Sequence, residues 1–292
     1  MNPTRAAWIF LAPALVVLGL FFLLPVIAAL LLSLTDYDLY ALANLHNLRF
    51  VALGNYWELL HRPLFWSALG HTFYFVIVGV PLSIITSLGA ALLLNSPLAR
   101  MKSFFRTALF APVVTTVVAT AVIWRYLFNT KYGWANYFLQ SVGIHPIDWL
   151  GDPHWAMPTI ILFAVWKNFG YNMIIFLAGL QAIPADLYEA ARIDGASLRR
   201  QFQHITLPML KPTLVMVAIL TVAGYFQLFA EPYVMTEGGP LQSTTSVLYL
   251  MYEEGFKWWN LGSASAVAFL LFVIMFVVTA VLLRLSQRGD EA

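Results

Sequence analysis

The sequence contains no cysteine among its 292 residues. A chain without thiols forms no disulfide and no thiolate metal site, so neither can stabilise this fold. The absence gives no information about the redox compartment. The six histidines never fall at the spacing of paired metal ligands, and we expect no metal site.

Catalytic and nucleotide-binding motifs are also missing. A Walker A loop needs an adjacent Gly-Lys pair, and that dipeptide does not occur in the chain. Neither G-x-S-x-G nor H-E-x-x-H is present. The sequence therefore predicts a protein that is not an enzyme and that binds no cofactor itself.

Charged residues are scarce, at 10% of the chain against about 25% in typical soluble domains. Hydrophobic residues make up 61%, and mean hydropathy is +0.77, which indicates an integral membrane protein. A helical span needs about 20 apolar residues, and lipid offers no partner for unpaired backbone groups, so we predict an all-α polytopic bundle of six transmembrane helices. The predicted spans are 6–34, 70–94, 107–128, 155–180, 210–234 and 261–285. The first is longer than the roughly 7 to 15 apolar residues of a secretory signal, which predicts an uncleaved anchor.

The few cations are distributed unevenly between the two sides. If the N-terminus is inside, the inner segments contain Arg5, Arg100, Lys102, Arg106, Arg192, Arg199, Arg200, Lys211, Arg284 and Arg288. The outer segments contain only Arg49, Arg62, Lys131 and Lys257, with Arg125 near a boundary. Cytoplasmic loops are enriched in Lys and Arg, so both termini are predicted to be cytoplasmic. The net charge of +2 reflects these loops, and no nucleic-acid partner is expected.

One inner connection, 181–209, is long and polar. Its first part, from Ala185, has strong helix formers and an acidic first turn, and Gly195 can end that helix in a left-handed conformation. A second short helix is predicted from Ser197 as N-cap to Thr206, with Leu207-Pro208 breaking it before the next span. This helix-turn-helix predicts either an element that docks in a partner's groove or an ordinary interfacial hairpin.

A family resemblance favours the docking interpretation. The pattern E-A-A, three residues, G, nine residues, I-x-L-P resembles the signature loop of the permease subunits of binding-protein-dependent ABC importers. It is matched at Glu189, Ala190, Ala191, Gly195, Ile205, Leu207 and Pro208. Leu180-Gln-Ala-Ile-Pro184 and Thr236-Glu-Gly-Gly-Pro240 resemble the carbohydrate-uptake branch, which often has glycine where Glu237 stands. The N-terminal segment is similar to the type of the larger maltose permease and the first glycerol-3-phosphate permease.

The resemblance implies a type I importer permease fold and a single transmembrane domain over 1–292, with a core of about 70–285. The coupling loop would span about 181–209, with Asp194 beside the matched residues. The implied partners are a second, non-identical permease, a dimeric ATPase that binds ATP and Mg, an extracytoplasmic binding protein or lipoprotein, and membrane lipid. The implied location is the inner membrane of a prokaryote.

Polar residues within spans are costly in lipid and normally face a bundle interior or a cavity. Ala164, Lys167, Asn168 and Tyr171 share one helical face, Thr221 and Tyr225 share another, and Gln227 and Glu231 form an adjoining stripe. Hydroxyl-matching groups and aromatic planes suit sugar recognition. The resemblance to the maltose permease places its substrate site at Ala164, Lys167, Asn168, Tyr171, Thr221 and Tyr225, and adds Val113, Thr116 and Val117. Alternatively, Lys167 and Glu231 pair with each other or with the partner permease.

The sequence thus predicts one half of the pore of an ATP-driven importer for a sugar or related polyol. The same architecture could import glycerol-3-phosphate or a glycerophosphodiester, for which Lys167 would bind the phosphate. A more remote alternative is an ion-coupled secondary transporter, with Lys167 and Glu231 as its coupling-ion site.

Overall fold

The structure is a computed structural model that describes residues 3–44, 46 and 48–288. The terminal positions to which the predicted orientation refers, 1–2 and 289–292, lie outside the described residues. In the described ranges the regular structure is helical, and the single pairing of extended segments is an isolated antiparallel bridge between Thr35 and Phe50. The prediction of an all-α protein is confirmed.

The α-helices are, in chain order, α1 Pro3–Leu18, α2 Leu24–Ser33, α3 Leu39–Ala43, α4 Gly54–His61, α5 Pro63–Asn95, α6 Lys102–Val114, α7 Val117–Leu127, α8 Trp134–Ser141, α9 Pro153–Gln181, α10 Ala185–Ile193, α11 Leu198–Gln201, α12 Leu207–Phe226, α13 Ala230–Met235, α14 Val247–Tyr252 and α15 Leu261–Arg288. Wider π-helical turns occupy Gly19–Leu23, Phe202–Thr206 and Glu253–Lys257.

Five described helical stretches are long and apolar enough to cross a bilayer: Phe10–Ser33, Pro63–Asn95, Pro153–Gln181, Leu198–Phe226 and Leu261–Arg284. They correspond to the predicted spans except the third. A sixth span exists only if α6 and α7 are counted together, because these two helices meet at an angle of 98°.

The predicted span 107–128 is therefore a bent pair of helices and not a single continuous one. The break lies at Thr115 and Thr116, which are extended, with ψ of 154° and 137°, while Pro112 lies within α6 itself. Hydropathy registers the apolar character of both halves and is insensitive to the direction of the chain between them.

The fifth span also differs from its prediction. Ser197 caps its start, with the hydroxyl accepting from Arg200 N, as expected. The predicted break at Leu207-Pro208 is absent, since the π-helical turn of Phe202–Thr206 carries the chain from α11 into α12. A proline ring clashes with the carbonyl four residues earlier in an α-helix, and the wider turn removes that conflict. The helix ends at Phe226, short of the predicted 234.

The chain forms two compact units. The larger contains Ser67–Tyr249 and the described residues from Met275 onward, and the smaller contains Leu250–Ile274 with the described residues up to Trp66. In the larger unit, α5, α9 and α12 enclose a core of Ala91, Leu94, Met173, Phe176, Leu177, Leu180, Ile183, Leu210 and Val217. Gly170 lets α9 approach α6 closely, because a Cβ there would lie 2.3 Å from Leu109 O.

The smaller unit contains a buried ion pair. Glu254, only 2% exposed, accepts a hydrogen bond of 2.6 Å from Arg62, whose side chain is 37% exposed. Arg62 also contacts the exposed Glu58 at 2.5 Å. Burial raises the pKa of Glu254, and the positive charge of Arg62 partly offsets that effect.

Replacing Arg62 with Ala leaves the buried Glu254 carboxylate without its ion-pair partner. We therefore expect a loss of up to about 3 kcal/mol in unfolding free energy. A carboxyl whose folded pKa is raised stabilises the folded state at low pH and loses that contribution as pH rises through the folded pKa. The deficit of Arg62→Ala should therefore be largest at neutral pH and shrink toward pH 5.

Thermal unfolding of the purified full chain at both pH values measures this effect. The matched control is Glu58→Ala, which removes the exposed partner and should change stability by about 0.5 kcal/mol or less. A deficit of equal size in the two variants would contradict this assignment.

Candidate functional site

A cavity of about 230 Å³ lies within the larger unit, between α5, α9, α12 and α13. Its lining combines amide, hydroxyl, carboxylate and aromatic groups. The lining residues are Phe75, Ala164, Asn168, Tyr171, Asn172, Leu220, Thr221, Gly224, Tyr225, Gln227, Leu228 and Glu231. Such a mixture of apolar surface with a few convergent polar groups is typical of small-molecule sites.

Most of the residues predicted for the substrate pathway line this one cavity. They are Ala164, Asn168, Tyr171, Thr221, Tyr225, Gln227 and Glu231. Both faces predicted for the fifth span contribute, the one with Thr221 and Tyr225 and the one with Gln227 and Glu231. The chain turns after Phe226, and α13 then places Glu231 in the lining of the same cavity.

Asn172 is a lining residue that the sequence reasoning missed. Its side chain is 4% exposed and donates to Thr221 Oγ1 at 3.0 Å and to Ser83 Oγ at 3.4 Å, which connects α9 to α12 and α5. The signal was available, since Asn172 lies four residues after Asn168 and so on the same helical face. Asn168 itself donates to Ala164 O at 2.9 Å.

Tyr225 combines deep burial with an unsatisfied polar group. The residue is 5% exposed, its ring lies 4.9 Å from that of Phe75, and its hydroxyl is near the Ser83 side chain but makes no hydrogen bond of acceptable geometry within the described part of the chain. A buried hydroxyl without a partner costs about 1 to 3 kcal/mol. A ligand in the cavity could supply the missing partner.

Lys167 occupies a different place from the one predicted. The side chain is 4% exposed, and its ammonium donates to the carbonyl oxygens of Pro112 at 2.5 Å, Val113 at 3.1 Å and Thr115 at 2.8 Å. It is not among the cavity-lining residues, and it makes no ion pair within 4 Å with Glu231. Val113, Thr116 and Val117 likewise lie at the break between α6 and α7 and do not line the cavity.

The placement of Lys167 leaves one acid and no basic side chain in the lining of the cavity. With the ammonium of Lys167 turned to backbone carbonyls, Glu231 is the ionisable acid of the lining, and no lysine, arginine or histidine joins it there. Across the described residues, no group of three or more His, Asp or Glu side chains is arranged to hold a metal ion.

The predicted coupling loop is mostly exposed. None of the residues of α10 is buried, and Ile193 and Leu198 are 86% and 83% exposed. The base of the loop is attached to the larger unit, because the Tyr188 hydroxyl lies 2.9 Å from Thr206 Oγ1 and Ile205 packs on the apolar core. Of the residues predicted for coupling, Ala191 and Ile205 are half-buried, and the exposed ones are Glu189, Ala190, Asp194, Gly195, Leu207 and Pro208.

Gly195 ends α10 as predicted. Its φ is +73°, its N–H donates to Arg192 O at 3.1 Å, and the next N–H, of Ala196, donates to Ala191 O at 2.8 Å. This pair of bonds is the Schellman arrangement, which reverses the chain and directs it to the Ser197 cap.

The segment around Glu237 explains why glycine suits that position. Glu237 and Gly238 both have left-handed backbone, with φ of +53° and +80°. Glycine adopts this conformation without the steric cost that a Cβ imposes. The hydroxyls of Thr244 and Thr245 hold the turn by donating to Gly239 O at 2.7 Å and Gly238 O at 3.2 Å.

Comparison with known proteins identifies the family. Residues 51–289 match the model of the binding-protein-dependent transport system inner membrane component. The chain belongs to this family, and is thus a multi-pass inner-membrane permease rather than an enzyme or a self-sufficient secondary transporter.

Individual relatives agree over nearly the full length. The chain is 38% identical to the lactose transport system permease protein LacF of Rhizobium radiobacter, covering 94% of this chain and 91% of the relative. It is 36% identical to the trehalose/maltose transport system permease protein MalF of Thermococcus litoralis, covering 97% and 94%. The resemblance to the carbohydrate-uptake branch is confirmed.

A solved structure has the same fold. A chain of a bacterial ABC transporter involved in the import of the acidic polysaccharide alginate superposes with a TM-score of 0.82 at 20% identity, covering 97% of this chain and 96% of that one. The predicted importer permease fold is confirmed.

Proposed function

We propose that this permease passes a neutral sugar or related polyol through the cavity and is driven by ATP hydrolysis in a partner ATPase docked on the loop 181–209. The observation that carries the proposal is one uninterrupted helix, Leu198–Phe226. It begins in the exposed loop and ends at the cavity, where it carries Thr221 and Tyr225. At 1.5 Å per residue, its 29 residues span about 43 Å.

The loop has the features of a docking element. Ile193 and Leu198 present apolar side chains to the outside at its tip, and exposed apolar groups rimmed by polar ones mark interaction sites. A partner that moves this tip would also move the continuous helix that follows it. ATP and Mg would be bound by that partner, and Glu189 would lie at the shared interface.

The remaining assembly follows the family pattern. A second permease would complete the pore, residues 1–292 would form one transmembrane domain, and a substrate-loaded binding protein would deliver its ligand from outside. Both termini and the coupling loop would face the cytoplasm, as the distribution of Lys and Arg favours.

The charge of the cavity favours a neutral ligand over a phosphorylated one. The three ammonium donors of Lys167 are occupied by carbonyl oxygens, so none of them is available to hydrogen-bond a phosphate in the cavity. Glu231 would repel an anion. Asn168, Gln227 and Tyr171 offer the hydrogen-bonding and stacking groups that a sugar requires.

The coupling role of the loop is tested at Gly195. A β-branched residue cannot adopt its left-handed backbone without strain, whereas Asn tolerates it. We expect Gly195→Val to redirect the second arm and to lower uptake at least tenfold while the complex still assembles and hydrolyses ATP. Gly195→Asn is the matched control and should retain coupling.

ATP consumed per sugar transported in proteoliposomes measures this effect. Normal coupling by an assembled Gly195→Val complex would refute the docking role and favour the interfacial hairpin.

The role of the cavity is tested at Tyr225. Because its hydroxyl makes no hydrogen bond of acceptable geometry within the described chain, Tyr225→Phe should leave thermal stability unchanged or raise it by about 1 kcal/mol. The same change should raise the apparent KM for uptake several-fold, since a hydrogen bond to the ligand contributes about 0.5 to 1.5 kcal/mol. Tyr56→Phe is the stability control, because it loses a hydrogen bond of 2.8 Å with Ser33 and should destabilise. An unchanged KM in Tyr225→Phe would count against the site.

The preference for a neutral ligand is tested at Glu231. At about 6 Å and an effective dielectric of about 40, one like charge contributes about 1.4 kcal/mol, or roughly tenfold. Glu231→Gln should therefore improve binding of a sugar phosphate relative to its neutral parent by about that factor, and Gln227→Glu should worsen it. Competition binding to the purified complex measures both ratios. If the wild type prefers the phosphate ester, the neutral assignment is wrong.

A further inference from the structure

The break between α6 and α7 leaves backbone carbonyls without their usual partners. In a continuous helix, Pro112 O would accept from Thr116 N and Val113 O from Val117 N. The extended conformation of Thr115 and Thr116 removes both bonds. In a span, such carbonyls require a partner from within the protein, since the lipid supplies none.

Lys167 provides a donor to three carbonyl groups at the break. An ammonium group has three N–H donors and no acceptor, and all three donors reach carbonyl oxygens of the break. A cation is also favourable at the negative end of the α6 dipole. The close packing of Gly170 against Leu109 brings α9 near enough for Lys167 to reach these groups.

The second half of the broken span supports one wall of the cavity. The short helix α13, which carries Glu231, packs against both α7 and α9. The direction in which α7 leaves the break therefore determines where Glu231 stands relative to Asn168 and Tyr171, which α9 carries.

We propose that Lys167 is a positioning residue: its ammonium clamps the break in its bent form and so sets the position of Glu231 in the cavity. It acts on the ligand through the backbone and not by contact. Pro112 O also accepts a hydrogen bond from Thr115 Oγ1 at 2.6 Å. If the clamp is removed, the carbonyl of Val113 regains a partner only when the break becomes helical, which straightens the span. This inference concerns the shape of the span and stands whether or not the cavity binds sugar.

The absence of native cysteine allows a direct test. Nitroxide labels at Phe105→Cys and Ile123→Cys, both exposed, report the separation of α6 and α7 in the full chain within its purified complex in lipid nanodiscs. At 1.5 Å per residue, the two Cα atoms would be about 18 Å apart across a right-angle bend and about 27 Å apart in a straight helix. Lys167→Met should shift the measured distribution of distances between the two labels by several ångströms toward the longer value.

Two further variants separate the clamp from other roles. Lys167→Arg keeps a cation with several donors and should retain the short distance, and Asn168→Ala removes a neighbouring cavity amide and should not change it. If Lys167→Met does not assemble, Lys167→Gln, which keeps two donors and loses the charge, is measured instead and should give an intermediate or broadened distribution. An unchanged distance in the neutral variants, with or without weakened substrate binding, would overturn the proposal.

Discussion

The requirement that every backbone polar group in a lipid-embedded chain find a partner within the protein governs this structure. Most spans meet it through their own helical bonds. The third span does not, because α6 and α7 meet at 98°. A buried lysine from α9 supplies the missing donors, so a residue that is expensive to bury becomes the group that permits an irregular backbone at that depth.

The contact between Lys167 and the backbone carbonyls of this span also determines which side chains can bind a ligand in the neighbouring cavity. A lysine in the lining beside Asn168 would offer its donors to an anion, whereas the donors of Lys167 are engaged by carbonyls and Glu231 is the acid of the lining. The helix Leu198–Phe226 is continuous through its π-helical turn, and this continuity gives a mechanical connection from the loop to the cavity.

Much of this could be predicted from the sequence, for physical reasons. Span positions follow from composition, the end of α10 follows from Gly195, and the cavity face follows from the helical spacing of Ala164, Asn168 and Tyr171. The bend at Thr115 could not be predicted, because hydropathy carries no directional information. The engagement of Lys167 depends on a residue 52 positions earlier, Thr115, which is a long-range contact. The helix through Pro208 depends on a π-helical turn that restores space for the proline ring.

The measurement that tests passage through the cavity most directly is the rate at which a cysteine placed in the cavity lining is modified during transport. Gln227→Cys introduces a single thiol into the cavity lining, and Leu93→Cys introduces one at an exposed position on α5 away from it. In proteoliposomes with the complete transporter and ATP, the transported sugar should slow thiol modification at position 227 and leave position 93 unaffected. Equal modification rates at position 227 with and without sugar during active uptake would contradict passage through this cavity.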